Sequence, residues 1–162
     1  MKIGIISDTH DNLHAIARAV EVFNNEKCEL VLHAGDYIAP FTIKPLSNLH
    51  SKLIGVFGNN DGDKILILQR FKEKGFELYP SPYELEFNGK KILLTHFPDM
   101  LGIVAKSNEY DVIVYGHTHK CDVKKIGSTL FVNPGEAGGW LSNKSTIGII
   151  ELEKLECKII SL

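Results

Sequence analysis

Five strand-like apolar runs in this chain end in the same way, on a short polar cluster. The clusters are Asp8-Thr9-His10, Gly35-Asp36, Gly58-Asn59-Asn60-Asp61, His96 and Gly116-His117-Thr118-His119. This restricts the fold, because loops that follow strands gather on one edge of a sheet, where ligands bind. Gathered there, the clusters offer two Asp, one Asn and four His, and no Cys. Carboxylate, amide and imidazole donors in that number suit a pair of divalent ions. Paired ions are a way to hydrolyse phosphate esters.

A chain of 162 residues with 44% hydrophobic content has enough apolar side chains for a proper core. We expect one domain over residues 1–162. Eighteen Lys and Arg stand against 20 Asp and Glu, for a formal charge of -2. That balance lacks the basic excess of a nucleic-acid footprint. Lys90-Lys91 and Lys124-Lys125 read as solvated hairpin ends. Cys28, Cys121 and Cys157 form no C-x-x-C pair, so reduced thiols are expected rather than a disulfide framework. The opening apolar run is too short for a signal-peptide core, and no later segment is long enough to span a bilayer. A cytoplasmic protein is the expectation, and nothing in the sequence opposes a homo-oligomer.

Apolar spacing predicts a helix from Asn12 to Glu26 with Leu13, Ile16, Ala17, Val20 and Phe23 inward and Asn12 as N-cap. Further helices are expected over Pro40–Leu49, Asp63–Lys74 (with Ile65, Leu68 and Phe71 inward, and Gly75 as its stop) and Pro98–Asn108. Strands are expected at Ile3–Ile6, Leu30–Leu32, Leu53–Phe57 and Asp111–Tyr115. Asn88-Gly89 predicts a hairpin between Tyr83–Phe87 and Lys91–Thr95. Cys121–Lys125 pairs with Leu130–Val132, and Ser145–Leu152 with Glu156–Ile160. An alternating β-α first half and a mainly antiparallel second half fit an α/β fold. In it two mixed β-sheets pack face to face with flanking helices, a four-layer α-β-β-α sandwich.

Taken singly, the clusters are ordinary. Asp8, Asp11 and Asp36 are plausible helix or turn caps, and Asn59 to Gly62 is a plausible turn. A lone His96 reads as a core histidine. Taken together they need one explanation for why several strands end in a potential ligand, and a metal provides it. His14, His33 and His50 lack this placement and read as packing or surface residues, with His14 and His33 near enough to support the site. The chain has no G-x-x-x-x-G-K-[ST] loop and no G-x-G-x-x-G opening its first helix. An EF-hand anchored on Gly62 would put Phe57 and Leu68 at ligand positions, which excludes it. No G-x-S-x-G elbow occurs.

The order Asp-x-His, Gly-Asp, Gly-Asn-x-Asp, His, Gly-His-x-His resembles the calcineurin-like metallophosphoesterases. With Asn133-Pro134-Gly135 and the short length, it resembles their small prokaryotic and archaeal phosphodiesterase branch. The resemblance runs from Asp8 to Gly135. It implies two ions, one held by Asp8, His10 and His119, the other by Asn59, His96 and His117, with Asp36 bridging. It implies a metal-dependent phosphodiesterase acting on a small phosphate-ester substrate through a bridging hydroxide. Mn²⁺ is the first choice for the ions, with Ni²⁺, Co²⁺, Fe²⁺ or Zn²⁺ also suited. A phosphomonoesterase and a non-catalytic scaffold of the same fold are the alternatives.

Three positions depart from the family pattern. Asn60 stands where a His usually assists the leaving group, and Asn can donate a hydrogen bond there but no proton. Asp61 is expected behind the ligands. Phe97 replaces a small residue and is expected to narrow the entrance. Glu136 replaces a Ser, and its carboxylate is expected to repel strongly anionic substrates. Trp140 is expected to be a half-buried packing residue, the alternative being an aromatic wall near a base or acyl group.

Overall fold

The computed structural model describes residues 1–162. The first half lays down β1 (Lys2–Ile6), α1 (Leu13–Asn25), β2 (Leu30–His33), α2 (Ile43–Leu46), β3 (Lys52–Val56), α3 (Lys64–Glu73) and β4 (Glu77–Tyr79). The second half lays down β5 (Tyr83–Phe87), β6 (Lys90–Leu94), α4 (Leu101–Ser107), β7 (Val112–Val114), β8 (Cys121–Ile126), β9 (Thr129–Pro134), β10 (Thr146–Glu151) and β11 (Glu156–Ser161). One sheet has the order β11-β10-β1-β2-β3-β4, the other β5-β6-β7-β9-β8. The strands β1, β2, β3 and β4 run parallel, as do β6, β7 and β9.

Alternation along each strand builds the layers. Ile3, Ile5, Leu30, Leu32, Ile54 and Val56 face Ile92, Leu94, Val112, Val114, Leu130 and Val132 between the two sheets. The intervening residues Ile6, Val31 and Leu53 turn outward, against Ile16, Phe23, Leu46, Ile67 and Phe71 of the helices. On the far side, Leu93, Ile113 and Phe131 meet Ala105 of α4. The result is the expected sandwich of two mixed sheets between helices.

Details differ from the sequence reading. In α1 the buried face is Ala15, Ile16, Ala19, Val20 and Phe23, while Leu13 and Ala17 are exposed. In α3, Ile65 is 83% exposed and Ile67 takes the inward place. The Pro40–Leu49 helix shrinks to a 3-10 turn, Pro40–Thr42, followed by four α residues. Pro45 lacks the N–H a longer helix would use. β4 was not expected; only three residues long, it adds a parallel edge to β3. The caps match better: Asn12 accepts from the Ala15 N–H at 3.1 Å and Asp63 from the Leu66 N–H at 2.9 Å. Asn88 and Gly89 both have positive φ, as a two-residue hairpin requires.

Tyr37 is fully buried and packs edge-on to Phe71, with its hydroxyl only 3.5 Å from the His33 carbonyl. A Cβ at Gly55 would overlap that hydroxyl. Gly55→Ala is expected to cost about 1–3 kcal/mol of stability. Adding Tyr37→Phe removes the overlapping oxygen and should recover most of that loss. Denaturant unfolding of the four proteins measures the coupling, and strict additivity would refute the contact.

Candidate metal centre

The clusters sit beyond the C-terminal ends of five parallel strands. Asp8 and His10 follow β1, Asp36 follows β2, and Asn59 follows β3. His96 follows β6, and His117 and His119 follow β7, so each sheet contributes to one place. Backbone bonds stitch these loops together. The Asp8 N–H donates to the Gly35 carbonyl at 3.0 Å and the His10 N–H to the Asp36 carbonyl at 3.2 Å. The Gly116 N–H reaches the His96 carbonyl at 3.2 Å, and the His117 N–H donates to Asp8 Oδ2 at 3.1 Å, across the two sheets. Asp8, His10, Asp36, His117 and His119 all have positive φ. That conformation is strained for residues with a side chain and clusters at functional sites.

The side chains face one another through lone pairs. Asp8 Oδ1 lies 3.4 Å from His119 Nε2 and 3.7 Å from His10 Nε2. Asp36 Oδ2 lies 3.6 Å from His10 Nε2 and 3.6 Å from His96 Nε2, so it serves both halves of the site. Asn59 Oδ1 is 2.9 Å from both His96 Nε2 and His117 Nδ1. The carboxylate–imidazole distances are long for hydrogen bonds. They match two donors each bound about 2.1 Å from a shared ion.

Two observations test whether a cation fits. Asp8 Oδ1 and His10 Nε2 are buried without a hydrogen-bond partner, a state buried polar atoms rarely keep. His96 Nδ1 lies 2.7 Å from the Ala34 carbonyl and must donate to it. In the neutral tautomer that this bond selects, a bare Nε2 lone pair faces the Asn59 oxygen at 2.9 Å. An acceptor facing an acceptor calls for a positive charge between them. Asp8, His10 and His119, and separately Asp8, Asp36 and His96, each bring ligand atoms within 4.8 Å of one another. The residues present therefore fit divalent ions.

Around this centre lie groups that hold it in place. Ser7 Oγ donates to Asp8 Oδ2 at 2.6 Å, leaving Oδ1 free. Burial pushes the Asp8 carboxyl up, but the nearby His10 imidazole and the Ser7 hydroxyl outweigh this and hold it below the usual range. The same pairing with Asp8 raises His10. His33 is fully buried, and burial pushes it down to about 3, so its neutral ring accepts from the Gly35 N–H at 3.1 Å and reaches Thr9 Oγ1 at 3.3 Å. His14 and His50 are exposed. Asn60, expected beside the leaving group, is exposed and donates to Asp36 through its backbone N–H at 2.8 Å and its Nδ2 at 2.7 Å.

Two expectations need correction. Glu136 does not face the substrate: it is 1% exposed and accepts from the Trp140, Leu141 and Ser142 N–H groups at 2.8–3.2 Å. Burial pushes its carboxyl up, but those donors and His119 hold it low. Its Oε1 stands 3.5 Å from His119 Nδ1, behind the ring. Trp140 is 62% exposed rather than packed, and its Nε1 donates to the His10 carbonyl at 2.8 Å. No sequence pattern marks Ser7 or Glu136, since their roles come from contacts across the chain. Phe97 stands beside two of the candidate donors, its ring 4.9 Å from that of His96 and 5.4 Å from that of His117.

Asp61 is buried, and both its oxygens accept backbone N–H groups. Oδ1 takes Tyr37 at 2.6 Å and Ile38 at 3.0 Å, and Oδ2 takes Gly58 at 2.7 Å and Asp36 at 3.3 Å. This one carboxylate locks the Asp36 loop to the Asn59 loop. Asp61→Ala should cost about 2–4 kcal/mol by leaving buried N–H donors unpaired. Asp61→Asn should cost nearly as much, because one oxygen becomes an N–H₂ facing N–H groups. Equilibrium unfolding measures both, and a near wild-type Asp61→Asn would refute the account.

Known proteins resemble this chain in sequence and fold. The calcineurin-like phosphoesterase superfamily domain matches residues 1–155. Phosphodiesterase MJ0936 of Methanocaldococcus jannaschii is 40% identical, over 100% of this chain and 99% of its own. A solved archaeal phosphodiesterase superposes with a TM-score of 0.95 at 40% identity, covering 100% of both chains. Phosphodiesterase YfcE of Escherichia coli is 27% identical over 96% of this chain and 90% of its own. Likeness of fold reaches further: Vps29 of Entamoeba histolytica, solved with Zn²⁺, has a TM-score of 0.70 at 19% identity over 99% of both chains. No helix here is long and apolar enough to cross a membrane. Fold, loop placement and full-length similarity agree, and the chain belongs to the calcineurin-like phosphoesterase superfamily.

Proposed function

We propose that this protein is a phosphodiesterase working with two divalent transition-metal ions. The observation that carries the reading is Asp36 Oδ2, which stands 3.6 Å from an imidazole nitrogen on each side. One position would be held by Asp8, His10 and His119, the other by Asn59, His96 and His117, with Asp36 shared. Imidazole mixed with oxygen donors suits Mn²⁺ first, and Ni²⁺, Co²⁺, Fe²⁺ or Zn²⁺, better than Mg²⁺. The relatives named as phosphodiesterases support a diester over other esters.

When bound, such an ion pair supplies a water acidic enough to ionise near neutral pH and positive charge for the phosphoryl oxygens. The residues of the chain do the rest. Ser7 and the His117 N–H occupy Asp8 Oδ2, so Oδ1 points inward. The Ala34 carbonyl fixes His96 with Nε2 inward. Asn59 contributes a neutral oxygen, which keeps the site's net charge positive enough to hold an anionic phosphate. Asn60 braces Asp36 and offers no proton to a departing alkoxide.

A phosphomonoesterase is the second reading, and one residue favours it. The motifs enclose no Lys or Arg, yet Lys120 lines the cleft beside His117, His119 and Leu141. A monoester carries extra charge that such a cation could meet. Rates on matched aryl mono- and diesters decide between the two, and the diester is expected to be faster.

Chelation is expected to abolish turnover of an aryl phosphodiester, and Mn²⁺ or Ni²⁺ to restore it. Asn59→Ala and His117→Ala should each remove activity and lower the bound metal from two ions per chain, read by elemental analysis. Wild-type rates in both variants would defeat the ligand assignment. Asn60→His should accelerate alkyl diesters by about tenfold or more, within the usual reach of general-acid assistance, and aryl diesters much less. Equal effects on both would show that position 60 does not face the leaving group.

A further inference from the structure

A cavity of about 400 Å³ lies between α4 and the outer face of β6, and the metal centre makes no use of it. Its apolar wall is Leu93, Phe97, Met100, Leu101 and Val104. No Lys or Arg lines it. Of its two carboxylates, Glu84 accepts from the Tyr110 hydroxyl, and Asp99 adds a negative charge. An anionic group is therefore poorly served there, and an uncharged apolar group is well served.

The cavity joins the metal centre through His96. Thr95 and Phe97, on either side of that histidine, both line it. So does Ser81, whose Oγ accepts the His96 N–H at 2.9 Å. The Phe97 ring lies against the His96 and His117 rings and also lines the cavity, so the two places share it. A phosphoryl group held at His96 and His117 would meet Phe97 as its nearest apolar surface. Met100, 60% exposed, is a flexible side chain suited to packing against varied shapes.

We propose that this cavity is the subsite for an uncharged aryl or similarly apolar ester group of the substrate, with Phe97 at its edge beside the metal centre. The proposal rests on the phosphodiesterase reading and narrows it: the natural diester carries one bulky apolar arm. A purely hydrophilic diester would leave the cavity unfilled.

The test uses two monoanionic probes that differ only in the aryl group, methyl phenylphosphonate and methyl methylphosphonate. Each is titrated calorimetrically into Mn²⁺-loaded protein. Wild type should bind the phenyl probe about tenfold more tightly, a modest return for burying one ring. Val104→Trp fills the cavity and should reduce that preference to roughly threefold or less, with the methyl probe unaffected. Leu101→Trp fills it from a second position, and decides alone if Val104→Trp also weakens the methyl probe. No preference in wild type, or a preference kept by the deciding variant, overturns the proposal. Hydrolysis of an aryl diester by wild type is scored separately. Discrimination without hydrolysis would keep the subsite and sink the phosphodiesterase reading. Hydrolysis without discrimination would do the reverse.

Discussion

Asp8, Asp36, Asn59 and four histidines turn lone pairs toward one another, and much of the local structure serves to keep them there. Left alone, such groups would repel or rotate away into water. Three devices prevent this. Second oxygens and nitrogens are occupied from behind, as Ser7 does for Asp8 and the Ala34 carbonyl for His96. Loops are bonded to their neighbours, as Asp61 does for the segments around Asp36 and Gly58. Backbone strain at five of the ligands is accepted because the surrounding bonds over-determine it.

Much of this was legible in the residues. Short apolar runs at Ile3–Ile6 and Leu30–Leu32, and the Asn88-Gly89 turn, specify strands by rules that act over a few residues. So do the caps Asn12 and Asp63. The recurrence of ligand types after strands pointed to the site, because topology alone brings strand ends together. What stayed hidden depends on distant contacts. Which of Ile65 or Ile67 turns inward is set by the sheet beneath α3, and β4 exists because β3 offers it an open edge. Glu136 reads from the sequence as a carboxylate facing the substrate. Only the return of the 140–142 loop, with its N–H groups, explains its burial.

The same distinction applies to chemistry. The sequence names the donors but not their supporting partners, and the partners decide which atom of each donor is available. Asn60 illustrates this: its residue type shows that it can donate, and only the fold shows that its two bonds go to Asp36. Phe97 shows the same. It departs from the family's small residue, and only the fold shows that its ring lies against those of His96 and His117.

The division of ligands between the sheets has a consequence beyond the site. Asp8, His10, Asp36 and Asn59 ride on one sheet, and His96, His117 and His119 on the other. The gap between the halves is thus set by the thickness of the apolar filling, through residues such as Ile5, Leu32, Leu94 and Val114. That filling acts as a ruler. Trimming or enlarging a methyl group deep in the sandwich would change the reach across the centre without touching any donor, so the tuning of catalysis can be written in side chains that never meet a substrate.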